Sequence, residues 1–474
     1  MGSIRTRMSA STGRIVDAVR QLAGRPPHTG NGWSGLEFVE RSRFRPFELL
    51  PASGLLFDAE GLQTDEPCRV DADLLAPFLT VELTPQEDAV LSAAGIETRV
   101  GDVWADYNAE SGRARIMLKL AGRTATVLTQ TMFPGEGFRT AVSITENIVT
   151  LWRWDGAVWR VLLTHPCGGN AGIDLRDAAL LTTSRLFYQG DFRRVRAGYF
   201  GYLGVRDPQL VRDMDGEPVR NHGRLWITAT CAGPGFFPTA HWAVFSFSKE
   251  DPADLRLESH VFFDRNGRRL GDHAGFILRG GGTFVVGVSS WGDFDRNAHV
   301  RWATTEEKVL EGVHVLESNR WDLPTAFDAW DPSLLHHAGR WWLAFVECTS
   351  YDPRFSFRPA LARSARGVNW DGPLEHVGSD TTREQTEGTL LTLLNGRLYV
   401  LASDGDASDY PIYDARMAQV DLLAAPYFTN IPHPLVIDPD DEPLILTFDG
   451  TTHDAAVLGY GTHGDVIVLR GRRR

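Results

Sequence analysis

A strand pattern that recurs through the second half of the chain constrains the fold more than any other feature. Each unit begins with an acidic residue before an apolar strand, followed by a glycine-containing turn and a strand rich in aromatic or β-branched residues. The first four units open with Asp207, Asp272, Asp331 and Glu387, at intervals of 65, 59 and 56 residues. A fifth, more divergent unit contains residues 434–437 and 444–446. Repeats of roughly 40–50 residues, lengthened by loops, are typical of β-propeller blades.

Five such units fit between residue 196 and the end of the chain at residue 474. The sequence therefore predicts a five-bladed β-propeller over residues 196–474. The first strand of each blade lines the central axis of a propeller. We therefore expect side chains at the starts of these strands to converge at one mouth of the channel, although they are far apart in the sequence.

The region before the repeat has a different pattern. Residues 32–195 contain alternating or β-branched segments separated by short polar or glycine-containing breaks, which favours an antiparallel sandwich. The pattern is similar to that of lectin-like jelly-roll domains. Residues 11–23 are predicted to form a short helix that ends before Pro26, within an N-terminal segment of residues 1–31. The overall prediction is an all-β chain: a sandwich domain, then a propeller.

Charge and composition exclude several classes of partner. The formal net charge of −13 disfavours nucleic acids and anionic membranes, which need a basic surface. No apolar run reaches the ~18 residues of a membrane span, and no secretory signal is evident, so we expect a cytoplasmic protein. Its four cysteines are far apart and predict free thiols. A small molecule or an oligosaccharide is the expected partner, and the oligomeric state is left open.

Three of the converging acids suggest acid/base chemistry at Asp207, Asp331 and Glu387. Glycosidic bond cleavage with inversion needs one protonated carboxyl group and one carboxylate that activates water, roughly 6.5–9.5 Å apart. A third carboxylate near the acid raises its pKa by like-charge repulsion. The alternative for each residue is structural, because Asp-Pro is also a common turn element at the start of a strand.

The order of these motifs resembles glycoside hydrolase family 43 and its furanosidase relatives. The resemblance rests on Asp207-Pro208 in the first unit, Asp331-Pro332 in the third and Glu387-Gly388 in the fourth, and it covers about the last 270 residues. It implies that Asp207 is the general base, that Asp331 tunes and orients the acid, and that Glu387 is the general acid of an inverting hydrolase. The chain departs from the family in its sandwich, which precedes the propeller, and in the residues after Glu387.

Other residues near the predicted mouth are candidates for substrate binding. They are Arg206, Asp272, His273, Trp291, Trp330 and Arg383, with Phe236, Phe237 and Tyr410 as further aromatic candidates. By the same resemblance, His453 is a candidate axial histidine near a central water or ion. No cofactor is required by the chemistry, no metal site is predicted, and a central calcium or other ion is compatible with the resemblance.

Two other functions are compatible with the same sequence, because a fold does not specify a reaction. The first expectation is a hydrolase that cleaves a furanosidic or pentose-type bond. A propeller with protonated carboxyl groups and aromatic loops could instead catalyse cyclisation, isomerisation or elimination on an apolar metabolite. A carbohydrate-binding protein without catalytic activity is the third alternative.

Overall fold

The structure is a computed structural model that describes residues 32–132, 138–168, 172–452, 457–458 and 464–473. The helix predicted for residues 11–23 lies outside these ranges. Strands dominate the described chain. The helical segments are the four-residue helix α1 (Ala178–Leu181) and 3-10 turns at Ala52–Gly54, Phe237–Thr239 and Trp291–Asp293. In the part of the chain that is described, no helix is long and apolar enough to cross a membrane.

The first described strand is followed by ten strands that form the sandwich. The strand bounds are β1 (Leu36–Phe44), β2 (Leu55–Arg69), β3 (Phe78–Pro85), β4 (Leu91–Glu97), β5 (Gly101–Asn108), β6 (Arg113–Leu120), β7 (Arg123–Thr131), β8 (Arg139–Thr145), β9 (Ile148–Trp154), β10 (Trp159–Pro166) and β11 (Arg185–Tyr199). Strands β4 to β7 form one antiparallel layer, and β3, β8, β9 and β10 form the other.

The two layers of the sandwich are joined through one long strand. The N-terminal half of β11 pairs with β4, its C-terminal half pairs with β3, and β2 covers its other edge. The layers face each other through contacts of β4 with β8 and β5 with β9. Buried apolar side chains fill the space between them. Each layer is largely a meander of hairpin-linked neighbours. The similarity to lectin-like jelly-roll domains stays a prediction.

The remaining strands form the five blades of a propeller. Blade 1 is built around β12 (Val205–Leu210), β13 (Arg212–Asp213), β14 (Arg220–Asn221), β15 (Arg224–Cys231), β16 (His241–Ser248), β17 (Arg256–Asp264) and β18 (Arg269–Leu270). Blade 2 contains β19 (His273–Gly280), β20 (Thr283–Ser289), β21 (Val300–Thr305), β22 (Gly312–Glu317) and β23 (Asn319–Arg320). By their pairing, two of these strands belong to the sheet of the neighbouring blade: β13 pairs with β19 in blade 2, and β22 adds to the outer edge of β17 in blade 1.

Blades 3 to 5 are four-stranded antiparallel sheets. Blade 3 contains β24 (Asp328–His337), β25 (Arg340–Ser350), β26 (Ser356–Ser364) and β27 (Leu374–Ser379). Blade 4 contains β28 (Thr386–Leu394), β29 (Arg397–Asp404), β30 (Pro411–Asp414) and β31 (Gln419–Leu422). Blade 5 contains β32 (Leu435–Ile437), β33 (Leu444–Asp449) and β34 (Asp465–Arg473).

The fourth strand of blade 5 comes from the beginning of the described chain. Strand β1 pairs antiparallel with β34, with Leu36 opposite Arg473 and Phe44 opposite Val466. The sequence pattern predicts that these residues belong to the sandwich, and the structure places them in the propeller. The reason is that β1 and β34 come from opposite ends of the described chain. Their backbone hydrogen bonds close the ring of blades. The sandwich is therefore inserted after the closing strand.

The inner strands of consecutive blades contact one another around the axis. Strand β12 contacts β19, β19 contacts β24, β24 contacts β28, and β12 also contacts β32. Apolar clusters fill the spaces between neighbouring blades. This ring brings the starts of β12, β19, β24 and β28 to one end of the axis, as the sequence repeat predicts.

Candidate active site

Each of the first four inner strands carries a one-residue β-bulge near its start. The pairing register shifts between Arg206 and Gln209, between Trp330 and Ser333, and between Glu387 and Leu390, with a similar shift in β19. A residue with left-handed backbone lies within each of these three bulges: Asp207, Asp331 and Gly388, with φ of 55°, 52° and 70°. Bulges of this kind change the direction in which side chains point and are common beside functional sites.

The bulges also correct the alignment of the repeat. Asp207 and Asp331 occupy the same left-handed position, but Glu387 is one residue earlier and is equivalent to Arg206 and Trp330. In β19 the left-handed residue of the bulge is Ala274, with φ of 37°. Asp272 therefore is not equivalent to Asp207, although the sequence repeat aligns the two residues. The alignment of acidic residues in the sequence does not include the extra residue that each bulge adds.

Asp207 is buried beside a cation. Its side chain is 1% exposed, and Arg206 Nε donates to its Oδ2 at 2.9 Å. Arg206 is itself largely buried. An adjacent guanidinium stabilises the charged form of a carboxyl group. This arrangement suits a carboxylate that is ionised when substrate binds.

Asp331 is held in place mainly by backbone and hydroxyl groups. Its Oδ2 accepts from the backbone N–H of Gly388 at 3.0 Å, and its own N–H donates to Ser289 Oγ at 2.9 Å. The Thr389 hydroxyl donates to its carbonyl oxygen at 2.8 Å. Burial, and then the nearby charges of Glu387 and Asp207, raise the pKa of Asp331 well above its ordinary value. Its surroundings therefore favour the protonated form of Asp331.

Glu387 lies in the same group of acids and remains partly accessible. Trp330 Nε1 donates to Glu387 Oε2 at 3.3 Å. Burial raises the pKa of Glu387 to about 7; Arg206 opposes that rise, Asp207 adds to it and the Trp330 hydrogen bond opposes it. A carboxyl group with a pKa near the ambient pH can both donate and accept a proton, which is the property required of a general acid.

His433 lies at the same centre, although it is not among the residues that the sequence predicts for the site. It precedes β32, and its imidazole lies between two of the acids: Nδ1 is 3.5 Å from Asp207 Oδ1 and Nε2 is 3.5 Å from Asp331 Oδ2. The side chain is 4% exposed. Burial lowers the pKa of His433 to about 4, even though Asp207 raises it. The available signal was its place before the first strand of the fifth unit.

The two candidates at the start of β19 have different surroundings. His273 is buried, its Nε2 is 2.9 Å from the carbonyl oxygen of Phe237, and burial lowers its pKa to about 3, with further effects from Arg206 and Asp207. The charges of Arg206 and Asp207 therefore reach His273, while its ring contacts Phe237. Asp272 is fully buried and accepts from Arg265 Nη2 at 2.6 Å and from the Gly292 N–H at 2.9 Å. These contacts give Asp272 a structural environment within blade 2.

Aromatic side chains surround Trp330 on the side of Glu387. The Trp330 ring lies 5.2 Å from Trp291 and 5.7 Å from Phe355. Trp291 in turn contacts Phe237 at 4.8 Å. Phe236 and Phe355 are 50% and 37% exposed, so this cluster reaches the surface. We call this set of rings the aromatic wall; it consists of Phe236, Phe237, Trp291, Phe294, Trp330, Tyr351, Phe355 and Phe357.

Two predicted residues are engaged elsewhere. Arg383 Nη1 donates to Asp404 Oδ2 and Asp409 Oδ1, both at 2.8 Å, which fixes its guanidinium within blade 4. Tyr410 is 1% exposed and packs against Tyr427 with tilted rings, 4.9 Å between centroids, in the apolar core beside blades 4 and 5. Neither contact reaches the acids.

Within the described ranges, no group of three or more histidine, cysteine or acidic residues could hold a metal ion. His433 lies between Asp207 and Asp331, and each of its ring nitrogens faces one carboxyl group, so the three side chains do not point at a common position. His453 lies outside the described residues. The four cysteines are free thiols, and three of them are buried.

Comparison with known proteins gives a likeness of fold. No family model matches the chain, and no curated protein matches it significantly. Similar solved structures include Zg3597, a family 117 glycoside hydrolase of Zobellia galactanivorans, with 12% identity, 56% of this chain and 84% of that chain covered, and a TM-score of 0.38. A thermostable family-43 glycoside hydrolase has 12% identity, coverage of 56% and 89%, and a TM-score of 0.38.

A levansucrase of Bacillus subtilis is also similar, with 11% identity, coverage of 56% and 83%, and a TM-score of 0.40. At these identities and TM-scores, no activity of this chain follows from the likeness.

Proposed function

We propose that this chain is a glycoside hydrolase that cleaves a furanosidic or pentose-type bond with inversion. Asp207 is the general base, Glu387 the general acid, and Asp331 the carboxyl group that orients the acid by accepting from the N–H of Gly388, the residue after Glu387. The observation that carries the proposal is the difference in surroundings among three adjacent acids. Asp207 is paired with Arg206, whereas the pKa values of Glu387 and Asp331 are raised.

The surroundings of Asp207 and Glu387 suit the general base and the general acid, respectively. The base must be a carboxylate when water attacks the anomeric carbon, and the Arg206 guanidinium favours that form. The acid must carry a proton when the leaving-group oxygen departs, and a pKa of about 7 keeps Glu387 substantially protonated at neutral pH. Pairs of acids whose environments separate their pKa values in this way commonly divide the acid and base roles.

The leaving group provides a test that separates the roles. The probes are 4-nitrophenyl α-L-arabinofuranoside and β-D-xyloside, compared with an alkyl glycoside of whichever sugar is hydrolysed. We expect Asp207→Asn to lose about 10²–10⁴-fold in kcat/KM on both kinds of leaving group. Glu387→Gln should lose as much on the alkyl glycoside and much less on the nitrophenyl glycoside, because nitrophenolate departs without protonation.

Glu384→Gln is the matched control, since Glu384 is exposed, pairs with Arg354 and is three residues from the acid. Its activity should equal that of the wild type. The anomer released first, followed by NMR, reports inversion or retention. Equal losses of Glu387→Gln on both leaving groups would contradict its role as the acid.

The aromatic wall favours a second function. A protonated carboxyl group beside apolar rings could catalyse cyclisation, isomerisation or elimination on an apolar metabolite. This alternative predicts that the wild type hydrolyses neither glycoside but binds apolar ligands, and that binding quenches the fluorescence of Trp291 and Trp330. A protein that binds sugars without turnover would instead support the third alternative, a carbohydrate-binding function.

A further inference from the structure

His433 lies between two acids of the centre, and each of its two ring nitrogens faces one of them. Its Nδ1 faces Asp207 Oδ1 and its Nε2 faces Asp331 Oδ2, both at 3.5 Å. A neutral imidazole has one donor nitrogen and one acceptor nitrogen. The ring can therefore connect one ionised and one protonated carboxyl group in a single chain of hydrogen bonds. Contacts of this kind in a free enzyme often shorten when substrate binds.

The protein fixes the position of this ring by close packing. Phe448 contacts it at 5.7 Å between ring centroids in an edge arrangement. On the other side lies Gly388, directly after Glu387. A Cβ atom at Gly388 would lie 2.3 Å from His433 Cδ2, so a side chain there would displace the ring. The Glu387-Gly388 pair thus leaves space for the imidazole beside the general acid.

We propose that His433 is a positioning residue that keeps Asp207 ionised and Asp331 protonated, with its Nδ1–H donating to Asp207 and its Nε2 accepting from Asp331. This inference rests on the proposed function, because it assigns His433 to the base of that reaction. The direction of the chain follows from the neighbours. Arg206 stabilises a carboxylate at Asp207, which accepts from Nδ1–H. Because the pKa of Asp331 is raised, its carboxyl group favours the protonated form, which can donate to an unprotonated Nε2.

Few charged groups face the imidazole. Those that act on it are Asp207 and Arg206 from β12 and Asp331 from β24, while the contacts from β28 and β33 are made by Gly388 and the Phe448 ring. Loss of the Nδ1–H donor removes a hydrogen bond to the charged form of the base. The base then takes up a proton more readily, so the acidic limb of the rate profile must move to higher pH.

The test compares His433→Phe with Phe448→Leu across pH 4–9. His433→Phe keeps an aromatic ring on Gly388 but removes both nitrogens. We expect kcat/KM on the hydrolysed glycoside to fall about 10²-fold or more, with KM within about threefold of the wild type and the acidic limb about one pH unit higher. Phe448→Leu changes the packing of the same ring without removing a polar atom, and should leave the limb in place while lowering the melting temperature.

If His433→Phe does not fold, His433→Gln provides the same measurement with a smaller polar side chain. An acidic limb at the wild-type pH in either variant, with reduced activity, would mean that the imidazole only fills space, and would overturn the inference. Failure of the proposed function gives a different result, because the wild type itself would then hydrolyse no glycoside. In that case Asp207 would not act as a base, and the contacts of His433 with Asp331 and Asp207 would not support one.

Discussion

The residues of the candidate site owe their directions to an unusual backbone. Asp207 and Asp331 have left-handed φ within the bulges of their strands, a conformation that costs a non-glycine residue roughly 1–3 kcal/mol. In each case Pro follows and the bulge turns the acidic side chain toward the axis. In blade 4 the same backbone position is a glycine, and the acid comes one residue earlier. Blade 4 therefore has a similar backbone at this point, but its acidic side chain comes from the residue before the left-handed position.

Gly388 allows a test of this arrangement at a single residue. Gly388→Ala adds a methyl group at φ of 70° and against His433, whereas Gly396→Ala adds one at φ of 67° with no atom within 4 Å. We expect Gly396→Ala to destabilise the protein by about 1 kcal/mol. Gly388→Ala should cost about 1–3 kcal/mol more, because the methyl group also overfills a packed site.

The measurement is urea-induced unfolding of both variants, with kcat/KM measured beside it. Gly388→Ala should also lose activity, since the displaced imidazole no longer lies between the two acids. Equal stability of the two variants would show that the site around His433 can expand without cost.

At the scale of elements, the closing blade depends on the strand that is most distant from it in sequence. Strand β1 supplies the fourth strand of blade 5 and buries Leu36 and Phe38 in the adjoining core. Strand order alone does not reveal this pairing, since β1 also precedes the sandwich directly. The outer edge of blade 1 shows the same effect, because β22 reaches it from the chain of blade 2.

Phe38 allows a measurement of how much β1 contributes. Its side chain is 2% exposed, and we expect Phe38→Ala to lower the free energy of unfolding by about 3–5 kcal/mol. Glu40→Ala, on the same strand with an exposed side chain, should change it by no more than about 0.5 kcal/mol. Thermal and urea unfolding of both variants check this. A small effect of Phe38→Ala would mean that blade 5 is stable with three strands.

At the scale of the whole molecule, the sandwich and the propeller share a buried interface containing two histidines. His241 and His260 of blade 1 stack at 5.4 Å, and the distance between their facing nitrogens is 3.3 Å. Phe78 and Tyr199 of the sandwich pack against them. Phe262 stacks on the same rings. Both histidines are neutral, because burial lowers the pKa of His260 to about 3 and that of His241 well below its ordinary value.

This interface predicts a loss of stability in acid. A histidine with a lowered pKa contributes its full stabilisation above its unfolded value of about 6.5, and that stabilisation falls as the pH drops toward 3. His260→Gln should therefore reduce the slope of unfolding free energy against pH between pH 6 and 4, by up to about 1.4 kcal/mol per unit.

Urea unfolding at several pH values provides the slope. Phe262→Leu is the control, since it weakens the same interface without removing a titrating group and should lower stability equally at each pH. An unchanged slope in His260→Gln would exclude this histidine as a source of the acid sensitivity.

Some features of this protein follow from the sequence alone. The alternation of apolar and polar residues reflects strands, and the repeated order of acid, strand and turn reflects blades, because both are local patterns read along one segment of chain. The arrangement of five blades, the sandwich before them, and the convergence of Asp207, Asp331 and Glu387 were predicted in this way. The roles of these acids remain a proposal.

Other features were decided by the tertiary structure. The pairing of β1 with β34, the bulges that make Glu387 equivalent to Arg206 and not to Asp207, and the position of His433 between two acids all depend on contacts between residues distant in sequence. Asp272 is similar to the other acids in its sequence context, yet it is enclosed by Arg265 and the backbone of Gly292. The closure of the ring of blades determines which side chains meet. No single segment of the sequence contains that information, because the partners come from different blades.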